Sequence, residues 1–196
     1  MCSQPDAKSP LLPPKLITQR LILRPPTVAD AEWIFRGYAG DSESVRYLTF
    51  RPHANASTVR TFLEELLAAH DAGERVRFAY VLALRDAEEG APGVGMIDLH
   101  WDGPSSLGAS LGYVLATPHR GKGYMTEAGR ALVEAALATE ALWRVWAVAD
   151  TENVASHRTL ERIGMSYEGT LRRFIVHPNV QSTPRDVYLY ARVRSS

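Results

Sequence analysis

The sequence predicts an α+β fold, layered α/β/α, in which helices flank a mixed, mostly antiparallel, twisted sheet. Three consecutive β-prone runs lie in the middle of the chain and are separated by segments rich in Gly, Pro, Asp and Ser, which indicates an antiparallel meander. Stretches with apolar residues at three- and four-residue steps lie before and after these runs and predict amphipathic helices. The predicted order of elements is βααβββαβαββ.

The length and composition favour a single folded domain. A chain of 196 residues is long enough for one hydrophobic core and too short for two ordinary domains. Residues 1–14 contain four prolines among polar residues, a composition that buries too little apolar surface to offset the entropy of ordering. We therefore expect a loose tail at 1–14 and one domain over 15–196.

Several classes of protein are disfavoured by the charge and the cysteine content. The 22 basic and 22 acidic residues give a formal net charge of zero, unlike a protein that coats nucleic acid. Cys2 is the one cysteine, so neither an internal disulfide nor a cysteine-based zinc site is expected. No apolar run is long enough for a membrane span or an export signal. We expect a cytoplasmic protein that uses no metal, no nucleic acid and no membrane.

The first elements are a strand and a short helix. The run at 16–23 is apolar and β-prone, and Pro25 ends it because proline cannot continue a strand ladder. Thr27, followed by Asp30 three residues later, resembles a capping arrangement that opens a helix through about Tyr38.

The middle of the chain carries a second helix and the three-stranded meander. Apolar residues at helical spacing predict the helix over 56–71, and Gly73 ends the pattern. The three strands of the meander are predicted at 76–84, 94–101 and 107–116.

The last part alternates helices and strands. A small-residue helix is predicted over 121–138, and Asn153 and Gly164 have the residue types that begin and end a second helix, which runs to about Ile163. The strands are predicted at 142–149, 167–176 and 186–192.

The most informative stretch is GYVLATPHRGKGYMTEA at residues 112–128, where a strand enters a glycine-rich turn that opens a helix. The first turn of a helix has unpaired N–H groups and a partial positive charge, so it binds anions. Gly121 and Gly123 would let phosphate oxygens approach the main chain, while Arg120 and Lys122 would add charge. The P-loop and dinucleotide-binding patterns are not met. The alternative is that these glycines only make a tight turn.

A second motif makes a family resemblance specific. The stretch RGKGYM at 120–125 resembles the Q/R-x-x-G-x-G/A acyl-CoA loop of the GNAT superfamily, and NVASHRTLERIGM at 153–165 resembles the following helix in its RimJ/RimL branch. TQRLILR at 18–24 and DVYLYAR at 186–192 extend the resemblance to roughly residues 16–193.

This resemblance implies the GNAT fold and an N-acetyltransferase that uses acetyl-CoA as co-substrate. Met125 stands where the family usually has Gly or Ala, which would alter close contact with the cofactor there. The resemblance places the cofactor against Val114, Leu115, Arg120, Gly121, Lys122, Gly123, Tyr124, Met125, Asn153, Ser156 and Arg158.

The catalytic groups are less clear. The resemblance implies that Ser156 protonates the departing thiolate, although a serine there could equally cap the helix or lie on the surface. The strand at 107–115 contains no carboxylate, so it lacks the base that some relatives carry there. Asp98 and His100 share one face of the preceding strand and could act as bases, or form a polar face in solvent. His177 is a further candidate.

The resemblance implies a primary amine as the acceptor, and we hypothesise an α-amine or another amine of low pKa. An α-amine has a pKa near 7.7–8.0 and is roughly 10–15% neutral at pH 7, whereas a lysine is on the order of 0.04% neutral. A protein N-terminus, an aminoglycoside, an amino acid or a polyamine stay open, as does a non-catalytic acyl-CoA sensor. A homodimer through the C-terminal sheet edge is also possible. Aromatic candidates for the acceptor pocket are Tyr47, Phe50, His53, Trp101 and Phe174.

Overall fold

The computed structural model describes residues 10–72, 76–88, 90–103 and 105–195. The strands are β1 (Leu16–Ile17), β2 (Leu21–Arg24), β3 (Arg77–Leu84), β4 (Gly95–Trp101), β5 (Gly108–Leu115), β6 (Arg144–Asp150), β7 (Ser166–Ile175) and β8 (Arg185–Val193). The α-helices are α1 (Ala31–Ile34), α2 (Ala56–Asp71), α3 (Tyr124–Leu137) and α4 (Val154–Ile163).

The strands form one sheet in the order β1-β2-β3-β4-β5-β6-β8-β7. Neighbouring strands are antiparallel except for β5 and β6, which are parallel. The predicted mixed, mostly antiparallel sheet and its central meander are therefore confirmed. The C-terminal edge of the sheet is β7, because β8 lies between β6 and β7.

The prediction of one first strand over 16–23 is wrong, because the segment folds into the hairpin of β1 and β2. Thr18 makes the turn: its hydroxyl accepts a hydrogen bond from the Leu21 amide at 3.0 Å. The same hydroxyl donates to the carboxylate of Glu127 on α3 at 2.6 Å, and the Arg20 amide donates to that carboxylate at 2.7 Å. A contact across more than a hundred residues thus decides this turn.

The predicted capping arrangement at the first helix is confirmed. Asp30 accepts a hydrogen bond from the Thr27 amide at 2.7 Å and closes a capping box. The helical path then changes type, with a 3-10 turn at Val28–Asp30, α1, and a wider π-type turn at Phe35–Ala39. The helical segment extends to about Tyr38, as predicted, but it is not a single regular helix.

Helices cover both faces of the sheet. On one face α3 and α4 pack on a core that includes Leu99, Leu132 and Ile163. On the other face the α1 segment and α2 pack together, with Met96 and Val114 of the sheet against them. The two faces therefore carry different sets of side chains, and both sets contribute to the site described below.

Part of the predicted tail contacts the fold. Residues 1–9, and with them Cys2, lie outside the described residues, as does Gly73, the predicted end of the second helix. The Pro13 carbonyl accepts a hydrogen bond from the Tyr80 hydroxyl at 2.7 Å, and Leu12 packs against the core. The packed region thus begins before residue 15, earlier than the sequence indicates.

The described residues were expected to contain no membrane-spanning helix and no metal site. Among them, no helix combines the length and apolar character needed to cross a membrane. The same ranges contain no group of three or more His, Cys, Asp and Glu side chains placed to hold a metal ion.

Candidate active site

An opening in the sheet forms where β5 and β6 separate. The two parallel strands are paired only from Gly108 with Arg144 to Ser110 with Trp146. Beyond that point β5 continues on β4 as far as Leu115, and β6 continues on β8. The final residues of β5 therefore have strand pairing on one side only, and their other edge faces the opening.

The backbone groups that face this opening follow from strand alternation. The Gly108 carbonyl accepts a hydrogen bond from the Asp102 amide, and the Ala116 amide donates one to the Val94 carbonyl, both at 3.0 Å and both on the β4 side. The backbone groups of the odd-numbered residues between them therefore face β6. The Leu115 carbonyl accordingly accepts a hydrogen bond from Arg120 Nε at 3.2 Å. The Val114 carbonyl lies on the β4 side, 2.5 Å from where a Cβ on Gly95 would be. Of the two residues of β5 against which the resemblance places the cofactor, Val114 and Leu115, Leu115 is the one whose backbone faces the opening.

The glycine-rich turn after β5 has the geometry of an anion site. Gly121 and Gly123 have φ values of +75° and +80°, in the left-handed region that favours glycine. α3 begins at Tyr124, three residues later than predicted, with Gly123 as its N-cap and no side chain capping it. The first amide groups of this helix thus have no intrahelical partner. A Cβ on Gly121 would meet nothing within 4 Å, so the outer side of the turn is open to a ligand.

A groove of about 750 Å³ runs from this turn along α3. Its lining includes Leu115, the last residue of β5, and Thr159 and Arg162 of α4. Residues of the glycine turn line the same groove, which therefore connects the turn with the free edge of β5. An elongated ligand that carries phosphates, such as acetyl-CoA, suits this arrangement. The remaining lining residues are Ile17, Thr18, Gln19, Arg20, Gly121, Gly123, Met125, Thr126, Glu127, Arg130, Ala131 and Glu134.

Arg20 is a residue of this site that the sequence did not single out. Its guanidinium donates to the Glu127 carboxylate at 2.7 Å and to the Lys122 carbonyl at 3.0 Å, and it lies 4.8 Å above the Tyr124 ring. The hairpin of β1 and β2 is thereby fixed to the glycine turn. Arg20 belongs to the motif at 18–24 that carries part of the family resemblance, but its contacts with α3 cannot be read from the sequence.

Of the predicted cofactor residues, Leu115, Gly121, Gly123 and Met125 line the groove. Met125 is only 4% exposed and packs in the core. Arg158 is exposed on α4, and the α4 residues that line the groove are Thr159 and Arg162.

Ser156 lies at the start of α4, across the opening from β5. Asn153 caps this helix by accepting a hydrogen bond from the Ser156 amide at 3.2 Å, and Gly164 ends it, as predicted. The Ser156 hydroxyl is 2.7 Å from the hydroxyl of Tyr113 on β5. Burial raises the pKa of Tyr113 to about 12, so this phenol is neutral at pH 7. Tyr113 belongs to the stretch that the sequence highlighted, but no role was assigned to it.

Asp98 and His100 share one face of β4, as predicted. Asp98 accepts a hydrogen bond from Arg77 Nε at 2.6 Å and lies opposite Gly112 of β5. Its Oδ1 atom is 2.7 Å from where a Cβ on Gly112 would be, so the carboxylate occupies space that a side chain on β5 would fill. Burial raises the pKa of Asp98 even though Arg77 opposes this shift. His100 is exposed.

His177 lies in the loop after β7, which contacts the loop before α2. Asn179 donates hydrogen bonds to the carbonyls of Val45 and Phe50, both at 2.7 Å, and so ties the loop after β7 to the loop before α2. The His177 ring is buried, with its centroid 6.0 Å from that of Tyr47. Burial lowers the pKa of His177, although Asp150 at 3.6 Å opposes this shift. A neutral imidazole is therefore expected at pH 7.

The structure places the five aromatic candidates for the acceptor pocket in different surroundings. Tyr47 lies against His177, and Phe50 packs on His53 with ring centroids 5.4 Å apart. Trp101 is the last residue of β4 and packs against the core, and Phe174 is 50% exposed on β7.

Comparisons with known proteins agree with this geometry. The family model described as "Acetyltransferase (GNAT) domain" matches residues 20–166. The uncharacterized N-acetyltransferase YoaA of Bacillus subtilis is 29% identical over 181 residues, which are 92% of this chain and 97% of YoaA. A GNAT-family acetyltransferase from Bacillus anthracis superposes with a TM-score of 0.77 at 25% identity, covering 93% of this chain and 99% of that one.

A further solved structure contains coenzyme A. It is RimL, named as a ribosomal L7/L12 α-N-protein acetyltransferase in complex with coenzyme A, with a TM-score of 0.77 at 18% identity, covering 91% of this chain and 96% of RimL. The family match spans well over half of the chain and includes the glycine turn and the helix that carries Ser156. The chain therefore belongs to the GNAT acetyltransferase family and is an N-acetyltransferase that takes its acetyl group from acetyl-CoA.

Proposed function

We propose that this chain acetylates the α-amine of a protein N-terminus by direct attack of the amine on the thioester. The observation that carries the proposal is the position of Asp98, a carboxylate opposite Gly112 of β5. Gly112 lies two residues beyond Ser110, where β5 and β6 lose their pairing. A proton acceptor thus stands beside the opening, although β5 itself has no carboxylate.

The donor is held by backbone groups. The glycine turn at 120–125 and the first amides of α3 would bind the pyrophosphate, and the free edge of β5 at Leu115 would pair with the pantetheine arm. Bound there, acetyl-CoA supplies an acetyl group activated as a thioester. The chain's contribution at this stage is to hold the donor in one orientation without using a charged side chain at the reacting carbon.

The acceptor must lose a proton to react. Asp98 can take this proton directly or through a water molecule, since burial raises the pKa of this carboxylate and makes it a stronger base. Arg77, at 2.6 Å, orients the carboxylate but also favours its ionised form. A base restrained in this way suits an amine that is already partly neutral at pH 7, as roughly 10–15% of an α-amine is.

Ser156 is the proposed acid for the departing thiolate. As the C–N bond forms and the C–S bond breaks, the Ser156 hydroxyl proton passes to sulfur, and the serine regains a proton from water. Asp98 takes one proton from the ammonium group and later returns it to water, and the attacking nitrogen loses a second proton to water as the amide forms. The net change is ammonium plus thioester to amide, thiol and one released proton, with no covalent enzyme intermediate.

Two observations support an α-amine acceptor. The stretch 153–165 resembles the RimJ/RimL branch, and RimL, whose fold this chain shares, is named for acetylating a protein α-amine. Tyr47 and Phe50 lie in the loop where the acceptor would enter, and their rings would pack on the first side chains of a peptide.

A matched acceptor panel tests the proposal by following thiol release from acetyl-CoA. The panel consists of the peptide Ser-Ala-Ala-Phe with a free N-terminus, N-acetylated Ala-Lys-Ala-Phe, free serine, spermidine and an aminoglycoside. We expect turnover of the first peptide, and far slower turnover of the second. Turnover confined to the lysine peptide, spermidine or the aminoglycoside would overturn the α-amine assignment, and turnover confined to free serine would overturn the protein N-terminus, while both would leave the acetyltransferase assignment intact.

A further inference from the structure

The hydroxyl of Tyr113 reaches across the opening in the sheet to α4. β5 loses its pairing with β6 after Ser110, so at Tyr113 the strand edge is open. The phenol oxygen lies 2.7 Å from Ser156 Oγ and 3.3 Å from the Ser156 carbonyl oxygen. Among the described residues, these are the side-chain hydrogen bonds that join β5 to α4.

This contact determines what the serine can do with its proton. A serine hydroxyl can donate one hydrogen bond, and it rotates freely unless a partner holds it. The phenol has one proton and two possible acceptors on Ser156. When it donates to Oγ, at 2.7 Å, rather than to the carbonyl oxygen, at 3.3 Å, the serine hydrogen is left free to point elsewhere. A hydroxyl that accepts a hydrogen bond is also a better donor, because the two bonds polarise each other.

We propose that Tyr113 is a positioning residue that orients the Ser156 hydroxyl so that its proton faces the departing sulfur. The inference rests on the proposed role of Ser156 as the acid. Tyr113 does not touch the reacting atoms in this scheme, and it acts through the serine. The proton that reaches sulfur comes from Ser156, and the Tyr113 proton stays on the phenol.

The kinetic test is a cycle of Tyr113→Phe, Ser156→Ala and the double variant, with acetyl-CoA and Ser-Ala-Ala-Phe as substrates. We expect Tyr113→Phe to lower kcat by roughly tenfold and Ser156→Ala by roughly a hundredfold, within the range known for general acids. The double variant should match Ser156→Ala within about twofold, because Tyr113 has no serine left to orient. The KM for acetyl-CoA and the calorimetric Kd for coenzyme A should change by less than about twofold.

Tyr80→Phe is the matched control. It also removes one phenol oxygen that makes a 2.7 Å hydrogen bond, to the Pro13 carbonyl, but at a distance from the opening. We expect its kcat to equal that of the native protein. An equal fall in kcat for Tyr80→Phe and Tyr113→Phe, or additive losses in the double variant, would overturn the inference.

A second measurement needs no acceptor and so separates this inference from the proposed substrate. Tyrosine labelled with ¹³C at Cζ gives one NMR signal for each of the eight tyrosines, and the Tyr113 signal is the one lost in Tyr113→Phe. We expect Ser156→Ala and saturating coenzyme A each to shift this signal, and neither to shift that of Tyr80. A Tyr113 signal that Ser156→Ala leaves in place would overturn the inference. A native kcat for Ser156→Ala would instead overturn the proposed acid and with it the role of Tyr113.

Discussion

Replacing Gly112 by alanine should separate catalysis from stability, because the new methyl group would meet the carboxylate of Asp98. The added Cβ would lie 2.7 Å from Asp98 Oδ1, so the carboxylate must withdraw by about 0.7 Å to reach an ordinary contact of 3.4 Å. A displacement of about 1 Å at a reacting group costs on the order of a hundredfold in rate. We therefore expect Gly112→Ala to lower kcat by roughly 10- to 100-fold.

The effect on stability should be small. The atom that must move is at the end of a side chain, and its ion pair with Arg77 is partly exposed, with 42% of the arginine side chain accessible. Such pairs contribute no more than about 1 kcal/mol. Alanine also restricts the unfolded chain more than glycine does, which offsets part of the loss. The free energy of unfolding should change by less than about 1.5 kcal/mol.

Initial rates with acetyl-CoA and Ser-Ala-Ala-Phe, urea unfolding and coenzyme A calorimetry measure these quantities. Gly37→Ala is the control glycine, since its Cβ would lie 3.3 Å from the Cβ of Ala116 and would not contact Asp98. Asp98→Asn gives the largest loss of kcat that displacing the carboxylate could cause. The double variant Gly112→Ala with Asp98→Asn should lose little more than Asp98→Asn alone. A kcat within twofold of native for Gly112→Ala, together with a large loss for Asp98→Asn, would refute the displacement. A native kcat for Asp98→Asn would refute Asp98 as the base.

Three other predictions concern the groove and the buried charge. Gly123→Val places a branched side chain at φ +80°, which costs about 1–2 kcal/mol of backbone strain. Coenzyme A should therefore bind at least about tenfold more weakly by calorimetry. An unchanged affinity would contradict the proposal that this turn binds the pyrophosphate. Arg20→Gln should weaken coenzyme A roughly fivefold by freeing the turn, and should lower the free energy of unfolding by at most about 1 kcal/mol, because Arg20 is 44% exposed. Burial opposes the ionisation of Asp150, but hydrogen bonds from Arg185 prevail and lower its pKa. Asp150→Asn should therefore cost about 3 kcal/mol in unfolding experiments at pH 7. The stabilisation by the ionised carboxylate is complete above its unfolded pKa of about 3.9 and is lost as pH falls through the lower folded pKa. The difference in the free energy of unfolding between the native protein and Asp150→Asn should therefore shrink below about pH 4. A difference that stays constant with pH would contradict this assignment.

The elements that the sequence predicted well are those determined by short-range rules. The α2 bounds agree with the predicted 56–71, and the Asn153 cap and the Gly164 end of α4 are confirmed. Capping residues and apolar spacing act over three or four positions, so a single sequence contains them. The hairpin of β1 and β2 was missed because it depends on Glu127, which is 109 positions from Thr18.

The candidate site divides in the same way. The glycine turn was found because Gly121 and Gly123 adopt backbone angles that glycine favours, a property of the residue type itself. Tyr113 and Arg77 were not singled out, because their roles come from partners on other elements at 2.7 and 2.6 Å. Tyrosine and arginine on a strand are also ordinary residues of a packed sheet, so residue type gave no signal.

The separation of β5 from β6 has a consequence for how the enzyme can diversify. Helices α3 and α4 lie on one face of the sheet, the side proposed for the donor, and α1 and α2 lie on the other, the side proposed for the acceptor. In this proposal only the reacting atoms need to meet, in the opening between β5 and β6. Substitutions in the loops around His177 can therefore change which amine is accepted without touching the donor groove. One donor apparatus can in this way serve many acceptors.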